Sequence, residues 1–175
     1  YFSARLRKHY PRAQVIGLDL AQGMVRYAKA QHGEHIKDWL TGDAEQLPLA
    51  DNSVDLIYSS LVVQWCQQPK KLWAELARVL KPGGEILCST LGPDTLKELR
   101  SAWAAVDDAV HVNRFASVFA LTSTMPNSLK VSYKTETIVL RYGFLMGLLK
   151  ELKSLGAHNV NRGRKRGMTG KRCGS

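Results

Sequence analysis

The sequence lacks several features that would mark particular classes of protein. None of its segments has the run of about 18 apolar residues that a membrane-spanning helix needs. Cysteine is scarce, and Cys66, Cys88 and Cys173 lie far apart in the chain. That spacing argues against a disulfide framework and against a zinc site, and it is typical of a reducing cytoplasm. There is also no internal repeat and no interdomain linker, so residues 1–175 are predicted to form a single cytoplasmic domain without a metal.

Positive charge, by contrast, is abundant, with 25 Lys and Arg residues against 15 Asp and Glu residues. Much of the excess lies in the C-terminal stretch HNVNRGRKRGMTGKRCGS, which has no periodicity. Residues 160–175 are therefore predicted to form a basic, disordered tail. Two interpretations of its run 162–171 stay open: a solvated terminus, or a surface that steers an acidic partner. Nucleic-acid binding is not favoured, because the tail has no aromatic residues interleaved for base stacking.

Short apolar runs alternate with helical patterns through the first 108 residues. Strands are predicted over residues 13–20, 36–43, 54–58 and 85–91. Helices are predicted over residues 1–10, 21–32, 69–84 and 93–107. Such alternation is typical of parallel strands joined by crossover helices, so the predicted fold class is α/β with a doubly wound, mostly parallel sheet. Beyond residue 108, alternating polarity predicts an edge or antiparallel strand over 129–140, and helical periodicity predicts a helix over 142–157.

Polar side chains stand where the predicted strands end: Asp19 after the first, Asp43 after the second, and Ser59 and Ser60 after the third. Ligands of open α/β sheets bind beyond the carboxyl ends of the strands. A carboxylate there can accept hydrogen bonds from both hydroxyls of a nucleotide ribose, each charge-assisted bond being worth about 1.5–3 kcal/mol. A glycine-rich loop for the other end of such a ligand is expected about 20 residues before Asp19, upstream of Tyr1. Two structural alternatives stay open: Asp19 as the N-cap of the next helix, and Asp43 as a turn former.

Three stretches carry a resemblance to a known family: GLDLAQGM, GDAEQLPLADNSVDLIYSSLVVQW and RVLKPGGEILCSTL. With them, the sequence resembles the class I S-adenosylmethionine-dependent methyltransferases. Within that group it is most similar to the malonyl-acyl-carrier-protein O-methyltransferases of biotin synthesis, through the stretches QWC, TLGPDTLKELRSAWAAVD and HVNRF. The family's glycine-rich loop, first strand and last strand have no counterpart, and residues 116–127 fit its pattern poorly. We therefore expect a Rossmann-like fragment truncated at both ends, whose activity belongs to a longer parent protein.

The resemblance implies S-adenosylmethionine as the cofactor and assigns two sets of residues. The cofactor-binding residues would be Asp19, Leu20, Met24, Asp43, Ala44 and Ser59. The substrate-binding residues would be Gln64, Trp65, His111 and Arg114. The Asp43 carboxylate and the Ala44 backbone amide would pair with adenine, and the backbone or hydroxyl near Ser59 would take the cofactor's amino group. Gln64 and Trp65 would face the transferred methyl group and help exclude water, core packing being the alternative role for Trp65.

The resemblance also implies the reaction, which is methyl transfer to the free carboxylate of a malonyl thioester on acyl carrier protein. A carboxylate with a pKa of about 4 is ionised at pH 7. No general base and no catalytic side chain are therefore expected, and alignment and exclusion of water would carry the reaction. Arg114 would bind the malonyl carboxylate through two parallel hydrogen bonds, a surface arginine being the alternative. For His111 the alternative is a structural role.

Acyl carrier protein is acidic, so the basic run 162–171 is a candidate contact for it. Two other functions stay open. One is a methyltransferase for another small acceptor, such as a quinone precursor. The other is a non-catalytic, methyltransferase-like assembly factor.

Overall fold

The computed structural model describes residues 2–33, 36 and 38–154. The predicted tail over 160–175, with its basic run and Cys173, lies outside the described residues. In the described part of the chain the helices are α1 Phe2–His9, α2 Gln22–His32, α3 Pro69–Val79, α4 Lys97–Ala104, α5 Val118–Thr122 and α6 Leu145–Ser154, with a 3₁₀ helix at Val63–Trp65. The strands are β1 Ile16–Asp19, β2 Asp38–Thr41, β3 Val54–Ser60 and β4 Leu80–Ser89. No helix within these ranges is long and apolar enough to cross a membrane.

The described chain divides into two compact units. The first contains the residues up to Leu91 together with Ala116–Val131, and the second contains Gly92–Phe115 together with the residues from Ser132 onward. All four strands therefore belong to the first unit, along with α1, α2, α3 and α5. Helices α4 and α6 belong to the second unit.

Strands β1 and β2 form a parallel pair in which Ile16 lies opposite Asp38 and Asp19 lies opposite Thr41. Helix α2 makes the crossover between them, as the alternation of strand and helix patterns predicts. Gly17 lies opposite Trp39, and a Cβ at position 17 would overlap ring atoms of Trp39 and lie 2.8 Å from its Cδ2. Only glycine therefore allows this indole to lie across β1.

Strands β3 and β4 form the second parallel pair, with α3 as the crossover. The pairing runs from Leu56 opposite Glu85 to Ser60 opposite Ser89, so the two predicted terminal serines are the last residues of the strand itself. A register shift precedes this stretch, because Val54 already pairs with Leu80. Residues 80–84 are thus drawn into an irregular start of β4, and α3 ends at Val79, five residues before the predicted helix end.

The described strands form two separate two-stranded sheets, β1–β2 and β3–β4. The predicted α/β class and the parallel crossover connections are confirmed by this arrangement. A continuous doubly wound sheet is not formed among the described residues, because none of these four strands pairs with neighbours on both sides.

The core of the first unit is built around α3, whose Leu72, Trp73, Leu76 and Val79 are buried. Three of these side chains cluster with Val63 of the 3₁₀ helix and Leu121 of α5. The predicted periodicity of apolar residues in α3 is thus confirmed, and burial of this stripe is what stabilises the helix against the sheet.

The predicted strand over 129–140 is wrong, since this segment has no regular structure and its residues from 131 to 140 are all exposed. Alternating polarity is typical of a half-buried strand, but a strand also needs a neighbouring strand that pairs with its backbone hydrogen-bonding groups. Helix α4 begins at Lys97, later than predicted, because residues 93–96 form turns and Leu96 has a left-handed φ of 57°. Helix α6 begins at Leu145, within the predicted range.

Candidate functional site

Two acidic residues lie at the carboxyl end of the β1–β2 strand pair. Asp19 is the last residue of β1, and the N–H of Gly42 donates to its carbonyl oxygen at 3.0 Å, which continues the ladder one step past β2. Asp43 comes directly after Gly42. Because parallel strands end at the same edge, both carboxylates project from that edge, as the sequence predicts.

Asp19 and Asp43 make the same local hydrogen bond. Oδ1 of Asp19 accepts from the N–H of Ala21 at 2.7 Å, and Oδ1 of Asp43 accepts from the N–H of Glu45 at 2.8 Å. The N-cap alternative for Asp19 is wrong, because the N-cap of α2 is Ala21 and no side chain caps this helix. The bond of Asp43 closes a turn, so the turn-forming alternative for Asp43 describes a contact that exists. Nothing in the described part of the chain bonds to Oδ2 of either carboxylate. Each side chain is thus held by one oxygen and presents the other.

The neighbouring predicted residues differ in exposure. Leu20 and Met24 are apolar yet 71% and 54% exposed, so they cover no core and are accessible to a ligand. The Ala44 side chain packs against the core cluster of α3. Its backbone N–H has no acceptor among the described residues, which leaves it available beside Asp43.

The carboxyl end of β3 carries the next group of predicted residues. Ser59 lies opposite Cys88 inside the strand pair, and Leu61 then takes a left-handed φ of 55° that turns the chain. Gln64 holds this turn, because its Nε2 donates to the Leu61 carbonyl at 2.8 Å and its Oε1 accepts from the Thr90 hydroxyl at 3.1 Å. Gln64 therefore connects the segment after β3 to the end of β4 by hydrogen bonds.

Trp65 is 44% exposed, so core packing does not account for it. The tryptophan that fills the core is Trp73, which is 2% exposed. The Trp65 ring thus stands at the surface close to the strand ends.

Glu45 is a buried carboxylate to which the sequence reasoning gave no role. It is 8% exposed, and its Oε1 accepts from the N–H groups of Gln67 and Gln68 at 2.6 and 2.9 Å. Gln68 is the N-cap of α3, so the carboxylate also lies at the positive end of that helix. Burial, then the charges of Glu45 and Asp43, raise the pKa of the nearby Cys66 thiol. The contacts of Glu45 lie 22 and 23 residues away in the chain, beyond the reach of any local pattern.

Arg78 of α3 makes a second connection to the loop that follows Asp43. Its guanidinium donates to the carbonyls of Leu49 and Leu47 at 2.9 and 3.0 Å, and it pairs with Asp51 at 2.6 Å and Glu75 at 2.8 Å. Glu75 in turn accepts from the N–H of Leu47 at 2.8 Å. Hydrogen bonds to Glu75 and Asp51 raise the pKa of Arg78, and the bond from Arg78 lowers the pKa of Glu75. These contacts fix the loop over 43–51 on α3.

The two remaining predicted residues lie in the second unit. Arg114 is exposed in a segment without regular structure, and its guanidinium has no hydrogen bond or ion pair within the described ranges. His111 is stacked on Trp103 with ring centroids 4.0 Å apart, and its Nε2 lies 2.7 Å from Oδ1 of Asp107. Those contacts agree with the structural alternative for His111, whereas Arg114 is available for a ligand.

Comparison with known proteins identifies the family to which this chain is similar. A family described as methyltransferase domain matches residues 1–88. The chain is 48% identical over 173 residues to the biotin biosynthesis bifunctional protein BioHC of Cellvibrio japonicus, a match that covers 98% of this chain and 34% of that protein. It is 39% identical over 173 residues to the malonyl-[acyl-carrier protein] O-methyltransferase of Hahella chejuensis, covering 98% of this chain and 62% of that protein.

The chain thus spans 62% of the length of one of these relatives and 34% of the other. Among solved structures, the crystal structure of the [4+2]-cyclase SpnF matches with a TM-score of 0.53 at 20% identity, over 71% of this chain and 46% of that one. This likeness concerns the fold alone and agrees with the α/β class.

Proposed function

We propose, on the premise that this chain belongs to the methyltransferase domain family, that it is part of an S-adenosylmethionine-dependent enzyme of biotin precursor synthesis. The enzyme methylates the free carboxylate of a malonyl thioester on acyl carrier protein. The observation that carries this proposal is the 39% identity over 173 residues with the Hahella chejuensis protein of that name. The 48% identity with the bifunctional biotin biosynthesis protein of Cellvibrio japonicus supports it.

The residues at the end of the β1–β2 pair suit the adenosine part of the cofactor. Asp19 can accept from the ribose hydroxyls, and Asp43 can accept from the adenine amino group, because Oδ2 of each has no partner among the described residues. The Ala44 N–H can donate to a ring nitrogen of the base. Leu20 and Met24 supply exposed apolar surface beside these groups. When bound, S-adenosylmethionine supplies an electrophilic methyl group on a sulfonium.

The residues after β3 suit the transfer end of the site. The small Ser59 leaves room beside the strand end, Gln64 fixes the turn that follows it, and the exposed Trp65 ring can exclude water. Arg114 belongs to the second unit, and its proposed role rests on the sequence resemblance: a planar guanidinium can hold a carboxylate through two parallel hydrogen bonds. No side chain has to remove a proton, since a carboxylate with a pKa of about 4 is already ionised at pH 7.

The proposed partner is an acidic acyl carrier protein. The chain carries a formal net charge of +10, and opposite charges raise the rate of encounter between partners. That contribution should fall as ionic strength rises, because salt screens charges separated by more than about 10 Å at 0.1 M. Of the cysteines that the structure describes, Cys66 and Cys88 are both unpaired, which suits a cytoplasmic location for this reaction.

Steady-state kinetics of the full-length protein with a panel of acceptors tests the proposal. The panel contains malonyl carrier protein, malonyl-coenzyme A and a hydroxylated quinone precursor, each with S-adenosylmethionine. We expect kcat/KM to be highest for malonyl carrier protein and the product to gain one methyl group. Preference for the quinone precursor would instead indicate another small acceptor, and cofactor binding without transfer to any acceptor would indicate an assembly factor.

A further inference from the structure

Glu45 joins two segments that each carry predicted site residues. It directly follows Asp43 and Ala44, and its carboxylate binds the backbone of Gln67 and Gln68. Those two amides come just after Gln64 and Trp65 in the chain. One buried side chain thus links the segment after β2 with the segment after β3.

The link is built to be stiff. A buried carboxylate is unfavourable unless it is hydrogen-bonded, so Glu45 loses its stabilisation if either segment moves away. Both bonds go to one oxygen, Oε1, at 2.6 and 2.9 Å, and the N-terminus of α3 adds a favourable field. On the opposite side, Oδ1 of Asp43 holds the N–H of Glu45 itself. A displacement of Asp43 is therefore transmitted through Glu45 to the residues next to Trp65.

We propose that Glu45 is a positioning residue that couples cofactor binding at Asp43 and Ala44 to the placement of Gln64 and Trp65 at the transfer end. This inference rests on the proposed function. Coupling of this kind is reciprocal, so occupancy of one segment must change the mobility of the other.

Cys66 is a built-in reporter of this link. Cys66 lies between Trp65 and Gln67 in the chain, and burial, followed by the charges of Glu45 and Asp43, raises the pKa of its thiol. A high pKa and partial burial both slow alkylation, because the thiolate is the reactive species. If the contact between Glu45 and the two amides is lost, both the burial of the thiol and its raised pKa should decrease, and the thiol should react faster.

Three variants of the full-length protein separate coupling from general destabilisation. Glu45→Ala removes the link, and Glu45→Gln keeps an acceptor oxygen but removes the charge. Glu75→Ala is the matched control, because Glu75 also fixes the loop over 43–51 through the Leu47 N–H but makes no bond to Gln67 or Gln68.

The measurements are hydrogen exchange at residues 61–68 and the alkylation rate of Cys66, each with and without S-adenosylmethionine, together with kcat and KM. In the unaltered protein we expect the cofactor to slow both exchange and alkylation. In Glu45→Ala we expect exchange at Gln67 and Gln68 to rise about ten-fold or more, as loss of charge-assisted bonds implies. The cofactor should no longer protect Cys66, and kcat should fall more than the cofactor's KM rises. Glu45→Gln should be intermediate.

The outcomes distinguish the two proposals. If calorimetry detects no binding of S-adenosylmethionine to the unaltered protein, the proposed function fails and the coupling fails with it. If the cofactor binds and methyl transfer proceeds but Cys66 stays equally protected in Glu45→Ala, the coupling alone is overturned. Equal loss of protection in Glu75→Ala would likewise reduce Glu45 to a structural residue.

Discussion

Replacing Gly17 by alanine should break the packing that holds the two acidic strand ends together. The added Cβ would overlap ring atoms of Trp39 and lie 2.8 Å from Cδ2, whereas carbon atoms in contact prefer about 3.5–4.0 Å. The ring must therefore retreat by about 1 Å, and it is not free to do so. Its Nε1 donates to the carbonyl of Ile36 at 2.9 Å, and its backbone is paired with Gly17 in the sheet.

Overpacking of this kind costs about 1–3 kcal/mol, and we expect Gly17→Ala to lower the free energy of unfolding by that amount. Gly23→Ala is the matched control, because it is the same chemical change in helix α2 with nothing within 4 Å of the added atom. There the change should be neutral or stabilise by up to about 1 kcal/mol, since alanine favours a helix over glycine. The changes that the two substitutions cause in the free energy of unfolding should thus have opposite signs or differ by more than about 1 kcal/mol.

Urea denaturation of the full-length protein and the two variants provides the measurement. A third variant, Gly17→Ala combined with Trp39→Leu, removes the ring that the new methyl group would strike. In the double-mutant cycle, Gly17→Ala should cost much less on the Trp39→Leu background. If Gly17→Ala is as stable as Gly23→Ala, or if Trp39→Leu gives no rescue, then Trp39 does not lie across β1 as described.

Three further predictions concern the site and its supports. Asp19→Ala should weaken binding of S-adenosylmethionine by about 2–4 kcal/mol in calorimetric titration of the full-length protein, and unchanged affinity would remove Asp19 from the site. Arg114→Ala should lower kcat/KM for malonyl carrier protein by about ten- to several-hundred-fold with cofactor affinity nearly unchanged. Arg114→Lys should retain only part of the kcat/KM that is lost in Arg114→Ala. The bond from Arg78 lowers the pKa of Glu75 below 4.5, so this carboxylate stabilises the fold at neutral pH and the contribution is lost as pH falls through the lowered pKa. Glu75→Gln should therefore flatten the acid side of a plot of Tm against pH, and an unchanged slope would contradict the assignment.

Local sequence patterns were sufficient to predict the helices and strands in which burial and secondary-structure propensity agree. In α3 the apolar residues Leu72 and Leu76 recur at helical spacing, and both are buried in the core. The edge of the β1–β2 pair followed from strand polarity and from the rule that parallel strands end together, which brought Asp19 and Asp43 to one place. The turn bond of Asp43 followed as well, because it spans only two residues. The N-cap alternative for Asp19 did not, because the N-cap of α2 is Ala21.

The features that sequence reasoning missed depend on contacts between distant residues. Glu45 and Arg78 have no role in the sequence analysis, because only the fold brings them to partners that are 22 to 31 residues away. The segment 129–140 has the polarity of a strand, but no neighbour supplies its hydrogen bonds in the described structure. Trp65 and Trp73 are equally apolar in the sequence, and only packing shows that Trp73 fills the core while Trp65 stays exposed.

The most direct test of the central claim is transfer of a labelled methyl group from S-adenosylmethionine by the full-length protein to malonyl and acetyl carrier protein. The acetyl form differs in lacking the free carboxylate. Label should enter the malonyl form as a methyl ester that mild alkali releases, and none should enter the acetyl form. Equal labelling of both forms, or labelling that alkali does not release, would contradict methyl transfer to the malonyl carboxylate.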